Sequence, residues 1–292
     1  MADFRVGYLY SLAPIHCGGE GDLGNILEIA REVHTNFPYI PGSSLRGGLR
    51  EEVQQSISKE SADRLFGKEL EDGNQMGVHQ VWFSDARLLW VPMRTMSLQG
   101  NDVFLWVSCP SLLRDHALLA KRSFEVFPDY AVGDRAGTYT VADAEIQVTA
   151  FSNTQKQMIE LAGKWADSLA TAVKPTWSTC RIVLPDSDFQ VLMEHSLWTQ
   201  VRNKIDEDVG AAQIFWTDIC IPRDTILYYA WGYSLHKQHP ITSQDHEGLT
   251  TILSGLLQVG GQANIGRGWV QSWIADQSSP VSNERTSVDM EN

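Results

Sequence analysis

Three glycine-rich stretches set polar and titratable side chains beside backbone that a ligand can approach closely. The first is His16-Cys17-Gly18-Gly19-Glu20-Gly21-Asp22-Leu23-Gly24, followed by Glu28, Arg31, Glu32 and His34. Acids on a loop beside a histidine have the chemistry for phosphodiester cleavage, by proton transfer or through a bound metal. The plainer alternative is a solvated acidic loop. The second is Pro41-Gly42-Ser43-Ser44-Leu45-Arg46-Gly47-Gly48-Leu49-Arg50. Ser43 and Ser44 can cap a helix whose first N–H groups are open, and Arg46 and Arg50 fall one turn apart on one face. That combination attracts phosphate, although an ordinary amphipathic helix with solvated arginines has the same sequence. The third is Val259-Gly260-Gly261-Gln262-Ala263-Asn264-Ile265-Gly266-Arg267-Gly268. It fails as a dinucleotide fingerprint because it follows a helical pattern and precedes a strand, so it reads as a tight turn or a polyanion-binding loop. His236, His239 and His246 lack a helical metal spacing, and no metal site is expected among them. Asp85, between two predicted strands, reads as a turn-forming acid with no catalytic role.

These loops need a frame. Phe4–Leu12 alternates aromatic and β-branched residues and predicts a first strand. Further strands are expected at 81–83, 87–91, 103–108, 141–151, 182–184 and 226–233, and a last one over 269–274. Residues 199–206 and 213–220 read as a hairpin. Helices are expected over 45–57, 61–66, 110–120, 187–196 and 249–258, the last stopping at Gly260 and Gly261. Thr154–Thr171 reads as one amphipathic helix with Ile159, Trp165 and Leu169 inward. Asp129–Thr140 is polar and glycine-rich and reads as an excursion from the core. Irregular alternation of strands and helices predicts an α+β fold with an antiparallel sheet. Residues 1–275 form the folded unit and 276–292 a disordered acidic tail.

Composition narrows the class. The 292 residues carry 36 Asp plus Glu against 23 Lys plus Arg, a formal net charge of −13. A chain of that sign does not coat nucleic acid by bulk charge, so any such contact must be local. Cys17, Cys109, Cys180 and Cys220 are far apart, which argues for reduced thiols in the cytoplasm rather than a disulfide framework. The N-terminus makes a poor signal peptide, and no apolar run reaches the ~20 residues that span a bilayer.

Taken in order, five segments resemble one family. They are "LAPIHCGG", "REVHTNFPYIPGSSLRGGLRE", "VWFSDARLLWVPMRT" with "VFLWVSCPSLL", "TQVRNKIDEDVGAAQIFWTDICIPRDTILYY", and "VGGQANIGRGWV". The resemblance is to the RAMP superfamily of CRISPR-associated proteins, and within it to the repeated backbone subunit of type III-B (Cmr) effector complexes. It spans Val6 to Val270. It implies an RNA-recognition-motif-like (ferredoxin-like) palm with inserted fingers and a thumb hairpin, supplied by Val201–Cys220 or Tyr130–Thr140. It implies several copies stacked along a crRNA guide, positioning complementary target RNA beside other Cmr subunits, with no membrane. Guide contacts would come from Arg31, Ser43, Ser44, Arg46, Arg50, Gly260, Gly261, Asn264 and Arg267, the arginines feeding one basic groove on an otherwise acidic molecule. Capping and guide-processing roles share several of these segments and stay open.

One departure falls on the residue that the family uses to cut target RNA, an Asp in a Leu-Gly-x-x-Asp pattern ahead of Arg-Glu. The corresponding run here is Leu23-Gly24-Asn25-Ile26-Leu27-Glu28-Ile29-Ala30-Arg31-Glu32, one residue shorter, with Ile26 or Leu27 where the acid is expected. An apolar side chain neither binds Mg²⁺ nor moves a proton. Cleavage, if retained, would fall to Glu28 or Asp22 with His16, and Mg²⁺ would be a cofactor only in that case.

Overall fold

A computed structural model describes residues 4–19, 25–68, 79–97, 103–161, 167–205, 212–234 and 241–275. Phe4–Ser11 forms the middle of a sheet, antiparallel to both Ile226–Tyr233 and Trp269–Ile274. The Ile226–Tyr233 strand is apolar almost without interruption because both of its faces are covered. On one side lie the helices Gly42–Ser56 and Ser243–Ile252, the first seating Leu45, Leu49 and Val53 at helical spacing. On the other, Pro110–Leu119 brings His116 against Tyr8 and Tyr228. Leu256–Gln258 forms one edge of the sheet.

Ala86–Ser97 links this sheet to a second, smaller layer. Its start pairs with Ile226–Tyr228, its middle with Phe104–Ser108 and its end with Gly137–Val141. From there Arg181–Val183, Val132–Gly133 and Ala144–Ala150 complete a closed ring of strands. Trp90, Trp106 and Trp177 are fully buried here, Trp177 lying 5.3 and 5.4 Å from the other two, edge to face. A separate three-stranded sheet holds the hairpin of Trp198–Ile205 and Ala212–Cys220, with Ile26–Leu27 added in parallel.

The α+β expectation holds, and most elements fall within two or three residues of where patterning put them. Four differ. Residues 141–151 are not one strand, because Ala142 and Asp143 adopt positive φ and turn Gly137–Val141 back on Ala144–Ala150. The 129–140 excursion is thereby part of the sheet, with Val132 buried. The 154–171 helix is two, Asn153–Met158 and Asp167–Trp177, and Trp165 lies outside the described residues. Residues 249–258 begin inside Ser243–Ile252 and end in the edge strand, since the helix stops before Gly255 and Leu256–Gln258 finds a partner in Trp269–Gln271. His246 therefore sits on a helix, bonded to the Tyr233 hydroxyl at 2.7 Å, while His236, His239 and the 276–292 tail lie outside the described residues. Among the described residues no helix is long and apolar enough to cross a membrane, and all four cysteines are free and buried.

Candidate nucleic-acid interface

The chain leaves the first strand at Ser11 and is held on several sides at once. Ile15 exchanges two 2.9 Å backbone bonds with Ile221. The His16 carbonyl accepts from the Gly261 N–H at 2.8 Å, and the His16 Nδ1–H donates to the Ile219 carbonyl at 2.9 Å, which fixes the tautomer. The Cys17 carbonyl accepts from Ala30 and the Gly19 N–H donates to the Glu28 carbonyl. Gly19 approaches the Ile29 carbonyl so closely that a Cβ would sit 2.8 Å from it. The chain is thus fastened on both sides of residues 20–24, and Asp22 lies outside the described residues.

Glu28 points at Arg31, with 3.6 Å between Oε2 and Nε, and that oxygen is buried without a hydrogen bond. Arg31 also donates to Glu194 at 2.7 Å and to the Asn36 carbonyl at 3.1 Å. A second arginine nearby, Arg87, is bracketed by Glu32 and Asp115 along an open groove of about 420 Å³.

The helix at Gly42–Ser56 starts three residues earlier than patterning predicted, and its cap differs. Pro41 is the N-cap residue, and neither Ser43 nor Ser44 closes the helix end with its side chain. Asp85 does so from outside the helix, accepting the Gly42 N–H at 2.7 Å. A Cβ on Gly42 would lie 2.8 Å from the Phe83 carbonyl, so glycine is what lets the two segments meet. Ser43 is exposed, while the Ser44 hydroxyl bonds to the Cys17 thiol, which burial pushes up to about 12. Arg46 and Arg50 do share a face, but it is turned toward the next helix, Lys59–Phe66. Arg46 donates to the Phe66 carbonyl, and Arg50 to the Gly67 carbonyl and to Asp63. They cap that helix's C-terminus, where cations are favoured.

In the Gly260–Gly268 loop the φ of +81° at both Gly260 and Gly268 requires glycine, and a Cβ on Gly268 would strike the Val259 carbonyl at 2.1 Å. Asn264 is exposed at the loop tip with Gly261. Arg267 is not. It is 4% exposed, 3.0 Å from Asp218 Oδ2, and bonded to Cys220 Sγ, Gln262 and Gln200. The expected basic groove is therefore corrected. Arg31 and Arg50 are ion-paired, Arg46 serves a helix end, and Arg267 is internal.

What remains exposed around this junction is glycine backbone, the Ser43 hydroxyl, the Asn264 amide and the Ile265 side chain, at Gly18, Gly19, Ser43, Gly47, Gly261 and Ala263–Gly266. A Cβ on Gly48 would lie 2.7 Å from the Gln258 carbonyl, so the helix and the strand entering the glycine loop touch directly. Several of the N–H groups here are already committed, Gly19 to Glu28, Gly261 to His16, Ile265 to Gln262 and Gly266 to Ala263, so the polar groups this surface turns outward are the Ser43 hydroxyl and the Asn264 side chain. Beside it the hairpin exposes Trp198, Val201 and Phe215. The described residues do not compose a Mg²⁺ site. Glu28 faces an arginine, the Nδ1 of His16 is committed to a carbonyl, and no three His, Cys, Asp or Glu residues among them converge. Sequence reasoning missed the parts played by Asp85 and Asp218: the place of Asp85 between strands was a hint, while Asp218, inside the strand Ala212–Cys220, offered none.

Residues 8–271 match the family model of the RAMP superfamily. The chain is 28% identical, over 93% of its length and 95% of the relative's, to the CRISPR system Cmr endoribonuclease Cmr4 of Pyrococcus furiosus. Its fold is similar to a chain of the type III-B Cmr-beta complex bound to cognate target RNA, with TM-score 0.71 and 18% identity over 94% of this chain and 97% of that one. It is also similar to oligomeric Cmr4 from Pyrococcus furiosus, with TM-score 0.67 and 20% identity over 96% and 100% of the two chains.

Proposed function

The chain belongs to the RAMP superfamily, and on that premise we propose that it is a crRNA-binding backbone subunit of a CRISPR type III-B interference complex. Several copies stack along the guide, together with other Cmr subunits, in the cytoplasm, and hold complementary target RNA. The observation that carries this reading is the meeting of three glycine-rich segments around Cys17, where Ser44, Gly260, Gly261 and Ala30 all contact the His16-Cys17 pair. This buried junction holds the three segments together, and a sugar-phosphate backbone laid across its outer face meets the Ser43 hydroxyl and the Asn264 side chain. The sheet around Phe4–Ser11 is then the ferredoxin-like palm, and the 198–220 hairpin, with its exposed Trp198 and Phe215, the thumb. Both assignments follow from the family resemblance and are part of the proposal.

No cleavage step is assigned. The experiment loads the full chain with single-stranded guide RNA, then adds complementary RNA with Mg²⁺. Retention of both strands with the target intact is expected. Failure to retain guide overturns the reading. Regular cuts lost in Glu28→Ala or Asp22→Ala would instead establish an active endoribonuclease using those acids.

A further inference from the structure

The Asp218 carboxylate is wholly buried, yet two arginines reach its Oδ2. Arg267 Nη1 is 3.0 Å away and Arg202 Nη1 is 3.3 Å away, while Oδ1 has no hydrogen-bond partner. A carboxylate in such a place is held there by its cations, since a lone buried charge is strongly disfavoured. The two arginines come from different parts of the molecule. Arg202 belongs to the opposite hairpin strand and lies over the Trp216 ring at 5.3 Å. Arg267 belongs to the glycine loop, and its guanidinium fork also takes Gln200 at 2.7 Å, the register partner of Asp218. On its other side the same guanidinium bonds Gln262, at the loop's first left-handed turn after Gly260. Planar, multiply bonded recognition of this kind is what arginine does and lysine does not.

We infer that Asp218 is a positioning residue for the Gly260–Gly268 loop. Through Arg267 it locks the loop to the hairpin, so that the exposed tip at Ala263–Gly266, with the Asn264 side chain, keeps a fixed position. The consequence for RNA rests on the guide-binding reading above. The guide's affinity then depends on a carboxylate that never touches it, and a change at the hairpin base is felt at the guide loop.

Charge and position predict opposite outcomes, which makes the inference testable. Asp218→Asn removes a negative charge beside the site. Simple attraction to phosphate then predicts tighter RNA binding. Loss of the lock predicts weaker binding, by roughly tenfold, at an unchanged salt slope. Gln200→Ala, at an exposed side chain, is the milder variant that keeps the fold and should weaken binding a few-fold. Fluorescence anisotropy of a labelled single-stranded RNA, titrated with the full chain at several salt concentrations, reads both quantities. Unchanged or tighter binding in both variants overturns the inference. So does a salt slope that drops by about one in Arg267→Gln, because Arg267 would then contact phosphate itself. Amide hydrogen exchange in the RNA-free protein decides the positioning claim separately. Faster exchange over 259–268 in Asp218→Asn and Gln200→Ala is expected, and exchange equal to wild type in both contradicts the lock even if the chain binds no RNA.

Discussion

His116 lies under the sheet with the Tyr8 hydroxyl at 2.9 Å and the Tyr228 ring across its face. Burial, reinforced by the charge on Arg122, holds its pKa down from 6.5 to about 3. The folded protein thus keeps the ring neutral where the unfolded chain protonates it, so stability falls as pH drops from about 6.5 toward 3. Urea midpoints between pH 7 and 4 should decline in the wild type and flatten in His116→Gln. Equal slopes would show that His116 does not carry the effect. A second buried titratable group makes a stability prediction. Asp245 closes its helix with Thr242 and holds Arg64 at 2.8 Å and 2.9 Å, which keeps the carboxyl well below its usual range. Arg64→Ala strands that carboxylate, and about 2–3 kcal/mol of stability should be lost by urea unfolding, below the fully buried figure because Arg64 itself is part-exposed. Residue types were legible at this scale, but their commitments were not. Arg46, Arg50 and Arg267 look alike in a sequence as cations beside glycines. Only the fold reveals that each already has an internal acceptor.

Two adjacent glycines in the Gly42–Ser56 helix separate intrinsic cost from packing need. Nothing lies within 4 Å of a Cβ on Gly47, whereas on Gly48 it would press on the Gln258 carbonyl. Gly47→Ala should stabilise by roughly 0.5–1 kcal/mol, the helical penalty of glycine. Gly268→Ala should destabilise by about 1–3 kcal/mol, since its left-handed φ and the Val259 carbonyl both exclude a side chain. Thermal melting of the two variants checks both signs. If Gly47→Ala weakens RNA binding while stabilising the fold, that position also faces the guide. Elements with a strong local signal, such as the continuous apolar run Ile226–Tyr233 and the 198–220 hairpin, could be read from the chain. The misread ones share a cause. Leu256–Gln258 and Gly137–Val141 are strands because a distant partner is available, and local pattern carries no record of the partner.

At the scale of the whole molecule the net charge of −13 frames the account. Asp276, Glu284, Asp289 and Glu291 against Arg285 in the last 17 residues leave −10 to the rest. The sequence suggested one basic groove to offset this, but Arg31 and Arg50 pair with carboxylates and Arg267 is buried on Asp218. RNA contact through amides and hydroxyls releases few counterions, so binding should weaken only gently with salt, with a slope of about one or less per chain. A slope of about three, as four arginines on single-stranded RNA would give, would restore the arginine groove. The most direct test of the account is the light-scattering mass of the full chain on single-stranded RNAs of increasing length. A mass that rises in whole-chain steps as the RNA lengthens is expected. A chain that stays free of RNA at low salt, or binds one copy whatever the length, would contradict it.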